Sequence, residues 1–152
     1  METRSAVGVV WPSEPTAREI AELHRLVPEG MGTRMVTVDH DPDPGEGITL
    51  ERVVGLAESP TIEQMAAELV PKGVSAIAYA CTSASYVRGV GGDRDIADRI
   101  AEATGLPATT TSSAIVLALR HLGVTRVAVL SPHIDPLNER LTRFLEGSGF
   151  AV

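Results

Sequence analysis

Four short polar clusters hold the residues best suited to chemistry: Pro12-Ser13, Cys81-Thr82-Ser83, Thr110-Thr111-Ser112-Ser113 and Ser131-Pro132-His133. Each follows a run of apolar residues, as the carboxyl end of a strand would. Hydroxyls and backbone N–H groups in such places bind carboxylates or phosphates without a lysine. Cys81 is the single cysteine. Its thiol can become a thiolate if helix N-termini face it; the alternative is a small buried hydrophobe. Thr82 and Ser83 either bind a ligand or cap a turn. His133 stands beside the same presumed pocket, whereas His24 and His121 fall on helix surfaces and His40 in an acidic loop. Arg88-Gly-Val-Gly-Gly92 lacks the lysine of a Walker loop and does not fit the dinucleotide glycine pattern. Asp39, Asp41 and Asp43 can gather a cation, but a solvated loop suits them better. Asp93, Asp95 and Asp98 suit a helix start, where the dipole favours negative charge.

The elements that must position these groups alternate. Ala6–Trp11, Met35–Val38, Ser75–Ala80, Ala108–Thr111 and Arg126–Leu130 read as strands. Thr16 and Glu19 make a capping box before a helix with Ile20, Leu23, Leu26 and Val27 on one face. Leu50–Ala57 and Thr61–Val70 read as helices, the second with Gln64 three residues after Thr61 and with Ile62, Met65, Ala66 and Leu69 on one face. Asp93–Thr104 is a helix closed by Gly105, and Ser113–Leu122 one closed by Gly123. Asp135 caps a last helix with Pro136 at its first position, its apolar face carrying Leu137, Leu141, Phe144 and Leu145. This alternation predicts a parallel sheet with helices on both faces. The expected fold is α/β: a three-layer sandwich on a flavodoxin-like parallel sheet of four to five strands. Ligands of such sheets sit at the carboxyl ends of the strands, so the four clusters are expected on one edge.

Composition narrows the partners. The 152 residues are 43% hydrophobic and 22% charged, an ordinary globular balance. Twenty acidic against 13 basic residues leave a net charge of −7, which argues against a nucleic-acid or anionic-membrane surface. A lone cysteine excludes an internal disulfide and a multi-cysteine metal site and fits a reducing compartment. No apolar run approaches the ~18–20 residues of a membrane span, and the first residues do not read as a signal peptide; a cytoplasmic location is expected. Aromatic residues are only 3%, so the core must come from Ala, Val, Leu and Ile, as in buried parallel sheets.

Gly8-Val-Val-Trp-Pro12 and Ala128-Val-Leu-Ser-Pro132, each leading into a helix, form a short internal repeat about 120 residues apart. Gly149-Phe-Ala-Val152 reads as the opening of another strand. Residues 1–123 are therefore expected to be one domain and 124–152 the first strand and helix of a second. At that offset the mate of Cys81 falls near position 200, beyond Val152. The chain is then expected to be part of a working unit, weakly active alone. Its apolar Val127, Val129, Leu141 and Phe144 favour association, by packing on the first domain or by pairing or exchange with a second chain, and a homodimer is expected.

An ordered set of segments carries a resemblance. Tyr79-Ala-Cys-Thr-Ser-Ala-Ser85, Arg88-Gly89, Ala103-Thr-Gly-Leu-Pro107, Thr110-Thr-Thr-Ser-Ser-Ala114, Leu122-Gly-Val-Thr-Arg-Val-Ala128 and Asn138-Glu-Arg-Leu141 resemble the aspartate/glutamate racemase superfamily, in its maleate cis–trans isomerase and arylmalonate decarboxylase branch. The resemblance runs from about Val7 to the end and is strongest between Ile77 and Leu145. It implies two similar α/β domains with the active site between them and one cysteine from each half. Cys81 stands where the first-half cysteine stands, and the decarboxylases have glycine there. Thr82 and Ser83 match groups that hold a substrate carboxylate, and Pro12 and Ser13 match the proline-led loop after the first strand. His133 departs from the family, replacing a pocket tyrosine, and Glu14-Pro15 stand near where isomerases often carry an asparagine. Both departures bear on the substrate.

The expected activity is a cofactor-independent racemase, isomerase or decarboxylase of a small carboxylic or dicarboxylic acid. Cys81 is the expected catalytic residue, and Pro12, Ser13, Thr82, Ser83, Thr111, Ser112 and His133 the expected substrate contacts, with no metal and no organic cofactor. Neutralising the bound carboxylate makes the adjacent carbon easier to deprotonate or attack, and each pre-organised donor to a developing oxyanion is typically worth ~3–4 kcal/mol. The competing readings are a catalytically incomplete small-acid binding domain and a flavodoxin-like domain binding a phosphate cofactor.

Overall fold

The computed structural model describes residues 6–38 and 47–152. The acidic loop with Asp39, His40, Asp41 and Asp43 lies outside the described residues. The chain forms β1 (Ala6–Trp11), α1 (Ala17–Leu26), β2 (Gly32–Thr37), α2 (Leu50–Glu58), α3 (Thr61–Ala67), a 3-10 turn (Val70–Lys72), β3 (Ala76–Tyr79), α4 (Thr82–Tyr86), α5 (Gly92–Thr104), β4 (Ala108–Thr110), α6 (Thr111–His121) and α7 (Asp135–Gly147). Its described residues divide into two compact units that interleave along the sequence: 6–38, 60–80 and 97–109 in the first, 47–59, 81–96 and 110–152 in the second.

The sheet has the order β2-β1-β3-β4. The apolar run of β1 takes a central place, and Ala6, Val9 and Val10 are buried there. It pairs in parallel with β2, Val10 opposite Val36, and with β3, Val10 opposite Tyr79. The order reverses at β1, so the switch point, where open α/β sheets bind their ligands, lies between the carboxyl ends of β1 and β3. In the first unit α3 packs on β1 and β2, burying Ile62 and Ala66, and Leu69 is buried just after it. A Cβ at Gly8 would sit 2.9 Å from the Leu69 Cδ1, so the absent side chain at this position admits the leucine. Glu63 and Arg99 form an ion pair in the same unit.

Several elements differ from the sequence reading, each for a local reason. The fifth strand, Arg126–Leu130, does not form. One parallel bridge joins Arg126 to Ala151, through Val127 N–H to Ala151 O at 2.8 Å and Ala151 N–H to Thr125 O at 2.9 Å. A ladder one bridge wide is not a strand, and Leu130 beyond it is fully exposed. The sheet therefore has four strands, the lower of the expected numbers. Pro60, not Thr61, occupies the N-cap of α3, and it makes no side-chain cap bond. Ile134, not Asp135, is the N-cap of α7. The apolar stripe of α1 is not buried: none of its residues is, and Leu26 is 82% exposed. Thr111 opens α6 rather than closing β4, because Thr110 caps that helix by accepting from the Ser113 N–H.

The box at α1 does form. Thr16 accepts from the Glu19 N–H, and its own N–H and hydroxyl each donate to the Glu19 carboxylate at 2.7 Å. The backbone bond, then the hydroxyl, holds the Glu19 carboxyl below its ordinary value. A carboxyl with a lowered folded value contributes stability above its unfolded value and loses it as pH falls through the folded one. Thr16→Ala is expected to move the Glu19 titration upward, read by NMR; an unmoved titration would refute this account of the cap.

Candidate active site

Of the expected site residues, Cys81, Thr82, Ser83, Thr111, Ser112 and His133 belong to the second unit, and Pro12 and Ser13 to the first, where they follow β1. Cys81 follows β3 by one intervening residue and stands at the N-cap of α4, with no side-chain cap bond. The sequence reading took this stretch as a turn. It winds into a helix because Ser85 N–H reaches the Cys81 carbonyl at 3.2 Å and Val87 N–H the Ser83 carbonyl at 3.0 Å. Cys81 is buried at 7% exposure, and its Sγ lies 3.9 Å from the Ser83 Oγ. Thr82 and Ser83 are half-buried.

Beneath them is a closed hydroxyl cluster. The Ser85 Oγ lies 2.9 Å from the Thr82 carbonyl oxygen and 2.7 Å from the Ser112 Oγ. Ser112 N–H donates to the Ser85 Oγ at 3.2 Å, and the Ser112 Oγ is 3.3 Å from the same Thr82 carbonyl. Ser85 and Ser112 are each 1% exposed. Next along α6, Ser113 donates to the buried Asp93 carboxylate at 2.6 Å and receives the Thr110 hydroxyl at 3.1 Å. Asp93 thus braces the start of α6 as well as standing in the first turn of α5. A carboxylate buried there does not suit a phosphate loop at Arg88–Gly92, and Arg88 itself pairs with Asp95 and Glu58.

His133 follows an irregular segment, not a strand. Its N–H donates to the Ser131 Oγ at 3.0 Å, and its carbonyl receives the Asn138 Nδ2 at 2.8 Å. Arg140 donates to the Val87 carbonyl at 2.7 Å, closing the end of α4. The Asn138-Glu-Arg-Leu141 segment therefore holds the histidine loop and α4 together. The His133 ring meets the Tyr86 ring edge-on, centroids 6.4 Å apart at 62°. Sequence reading passed over Ser85 and Tyr86; the signal available was their place in a motif one helical turn beyond Thr82.

Tyr86 is fully buried with Val116, Phe144, Leu145 and Phe150, and its hydroxyl has no hydrogen-bond partner among the described residues. Burial, and then the charge of Cys81, push its hydroxyl up to about 12. The folded state holds the neutral phenol, so this contribution is full below the ordinary phenol range and is lost as pH rises through about 12. Tyr86→Phe is expected to remove the tyrosinate absorbance step near pH 12 and to leave neutral-pH stability equal or higher, because an unpartnered buried hydroxyl costs about 1–3 kcal/mol. A step that survives in the variant, or a large loss of stability, would contradict this.

Residues 48–152 match the arylmalonate decarboxylase family. The chain belongs to that family. Arylmalonate decarboxylase of Bordetella bronchiseptica is 42% identical over 146 residues, 91% of this chain and 54% of that protein. Maleate isomerase of Pseudomonas putida is 30% identical over 95 residues, 59% of this chain and 38% of that one. Among solved structures, a double mutant of arylmalonate decarboxylase in the liganded form superposes with a TM-score of 0.81 at 30% identity, covering 97% of this chain and 59% of its own. A cysteine mutant of the Nocardia farcinica maleate cis–trans isomerase, with a covalently bound succinylcysteine intermediate, gives 0.76 at 25%, covering 97% and 61%. The chain spans about half the length of the curated relatives it matches. Both enzymes act through an α/β fold of the kind described above, and both names denote enzymes of small acids. Among the described residues no helix is long and apolar enough to cross a membrane, and no group of three or more His, Cys, Asp or Glu is placed to hold a metal ion.

Proposed function

We propose that this member of the arylmalonate decarboxylase family works on a small carboxylic or dicarboxylic acid, by isomerisation, racemisation or decarboxylation, without a cofactor. The observation that carries the reading is the placement of Cys81 at the head of α4, beside Thr82 and Ser83, on a helix anchored from inside by Ser85 and Ser112. Thr82 and Ser83 hold the carboxylate, and Thr111 and His133 complete the second unit's contribution. Pro12 and Ser13 are separate candidates in the first unit. Cys81 as thiolate takes a proton from the carbon beside the carboxylate or adds to an activated double bond, and as thiol it gives a proton to that carbon. Succinylcysteine, named for the Nocardia isomerase, is what thiolate addition to maleate yields once the resulting carbanion takes up a proton. The cysteine in place of a glycine favours isomerisation or racemisation over decarboxylation alone.

Two further parts of the reading follow. Residues 1–123 form a first domain, and 124–152 open a second; the isolated parallel bridge between Arg126 and Ala151, on either side of α7, supports this reading. Exposed Val129, Leu130, Ile134 and Val152 favour a homodimer, in a cytoplasm where a lone thiol stays reduced. The test is incubation with maleate and with phenylmalonate, followed by NMR of the products and of the amide resonances. Conversion of one acid, or its binding at Thr82 and Ser83, is expected. The absence of both conversion and binding, for both acids, would overturn the proposal.

A further inference from the structure

The buried pair Ser85–Ser112 does more than fill space. In a trans peptide the carbonyl of one residue and the N–H of the next lie antiparallel in one rigid plane. The Thr82 carbonyl and the Ser83 N–H are such a pair. As the second residue of α4, Ser83 has no intrahelical acceptor for that N–H. On the other side of the plane, the Thr82 carbonyl, the Ser85 Oγ and the Ser112 Oγ form a triangle with edges of 2.9, 2.7 and 3.3 Å. Two hydroxyl protons serve these three oxygens. If Ser85 donates to the carbonyl, Ser112 donates to Ser85. If Ser85 donates to Ser112, Ser112 donates to the carbonyl. Either way the carbonyl is held, and the Ser112 N–H occupies a remaining lone pair of Ser85 at 3.2 Å. At 1% exposure each, neither serine meets water that could compete.

We infer that Ser85 and Ser112 are positioning residues that lock the Thr82–Ser83 peptide against α6 and so aim the Ser83 N–H at a substrate carboxylate. The inference rests on the reading of Thr82 and Ser83 as the carboxylate-holding residues. It also gives Ser112 a different part from the direct substrate contact expected of it.

The test uses the isotope-labelled 152-residue chain and phenylmalonate as probe. Two readouts are followed by NMR: the Thr82 carbonyl carbon together with the Ser83 amide, and the affinity for phenylmalonate. In Ser85→Ala/Ser112→Ala both Thr82 and Ser83 resonances are expected to move, with affinity falling about tenfold, the equivalent of one hydrogen bond's net worth. Ser112→Ala loses affinity severalfold, and Ser112→Thr, which keeps the hydroxyl, restores it. A folded double variant with unmoved resonances and unchanged affinity overturns the inference alone. A wild-type Ser83 amide that ignores phenylmalonate overturns the functional reading beneath it. Should the double variant not fold, Ser112→Ala against Ser112→Thr decides the matter, and identical behaviour of the two overturns the inference.

Discussion

Truncating Phe144 to alanine is expected to cost about 3–5 kcal/mol of stability. Phe144 is 2% exposed and packs with Tyr86, Val116, Leu145 and Phe150, with Leu119, Val127 and Leu141 around them. These residues come from α4, α6, the Val127 stretch, α7 and the Phe150 tail. Removing the ring opens a cavity that several separate segments would have to close together. The chain has two phenylalanines, and both are in this cluster. Denaturant unfolding should show a lower midpoint with an unchanged slope. The control is Leu130→Ala: Leu130 is fully exposed, and the change should stay within about 0.5 kcal/mol. A Phe144→Ala loss as small as the control's would mean that α7 does not share a core with α4.

On the proposed function, Cys81→Ala is expected to lower turnover of maleate or an arylmalonate by about 10²–10⁴-fold, the usual worth of a positioned proton-transfer group. The side chain removed is small, and its one polar contact is a long one to Ser83. The fold should therefore persist, with carboxylate affinity changed much less than turnover. Equal turnover in the variant would return Cys81 to the alternative of a small buried hydrophobe.

Much of this organisation was legible in the residues. The strand–helix alternation predicted the parallel sheet, and the carboxyl-end clusters singled out the segment around Cys81. What escaped has physical causes. Arg126–Leu130 has the composition of a strand, but strands exist by pairing, and its partner is one residue wide. The stripe on α1 has the right period, but periodicity shows which residues share a face, not whether anything covers it. The five residues of α4 are too few for a periodic signal, and the hydroxyls that hold it come from α6, far along the chain. Ser112 read as a ligand contact because a hydroxyl at a strand end looks the same whether it faces outward or into the protein. His133 was placed after a strand that does not form, and its loop is held by Ser131 and Asn138 instead.

The central claim is that Cys81 and the carboxylate-holding residues beside it form one site. Protection of Cys81 from iodoacetamide tests it most directly, read as the rate of carboxymethylation by mass spectrometry. With phenylmalonate or maleate at about ten times its dissociation constant, labelling should slow about tenfold, because only the unliganded fraction reacts. Chloride at matched ionic strength should leave the rate unchanged. Labelling at the same rate with a demonstrably bound acid as without it would contradict the account.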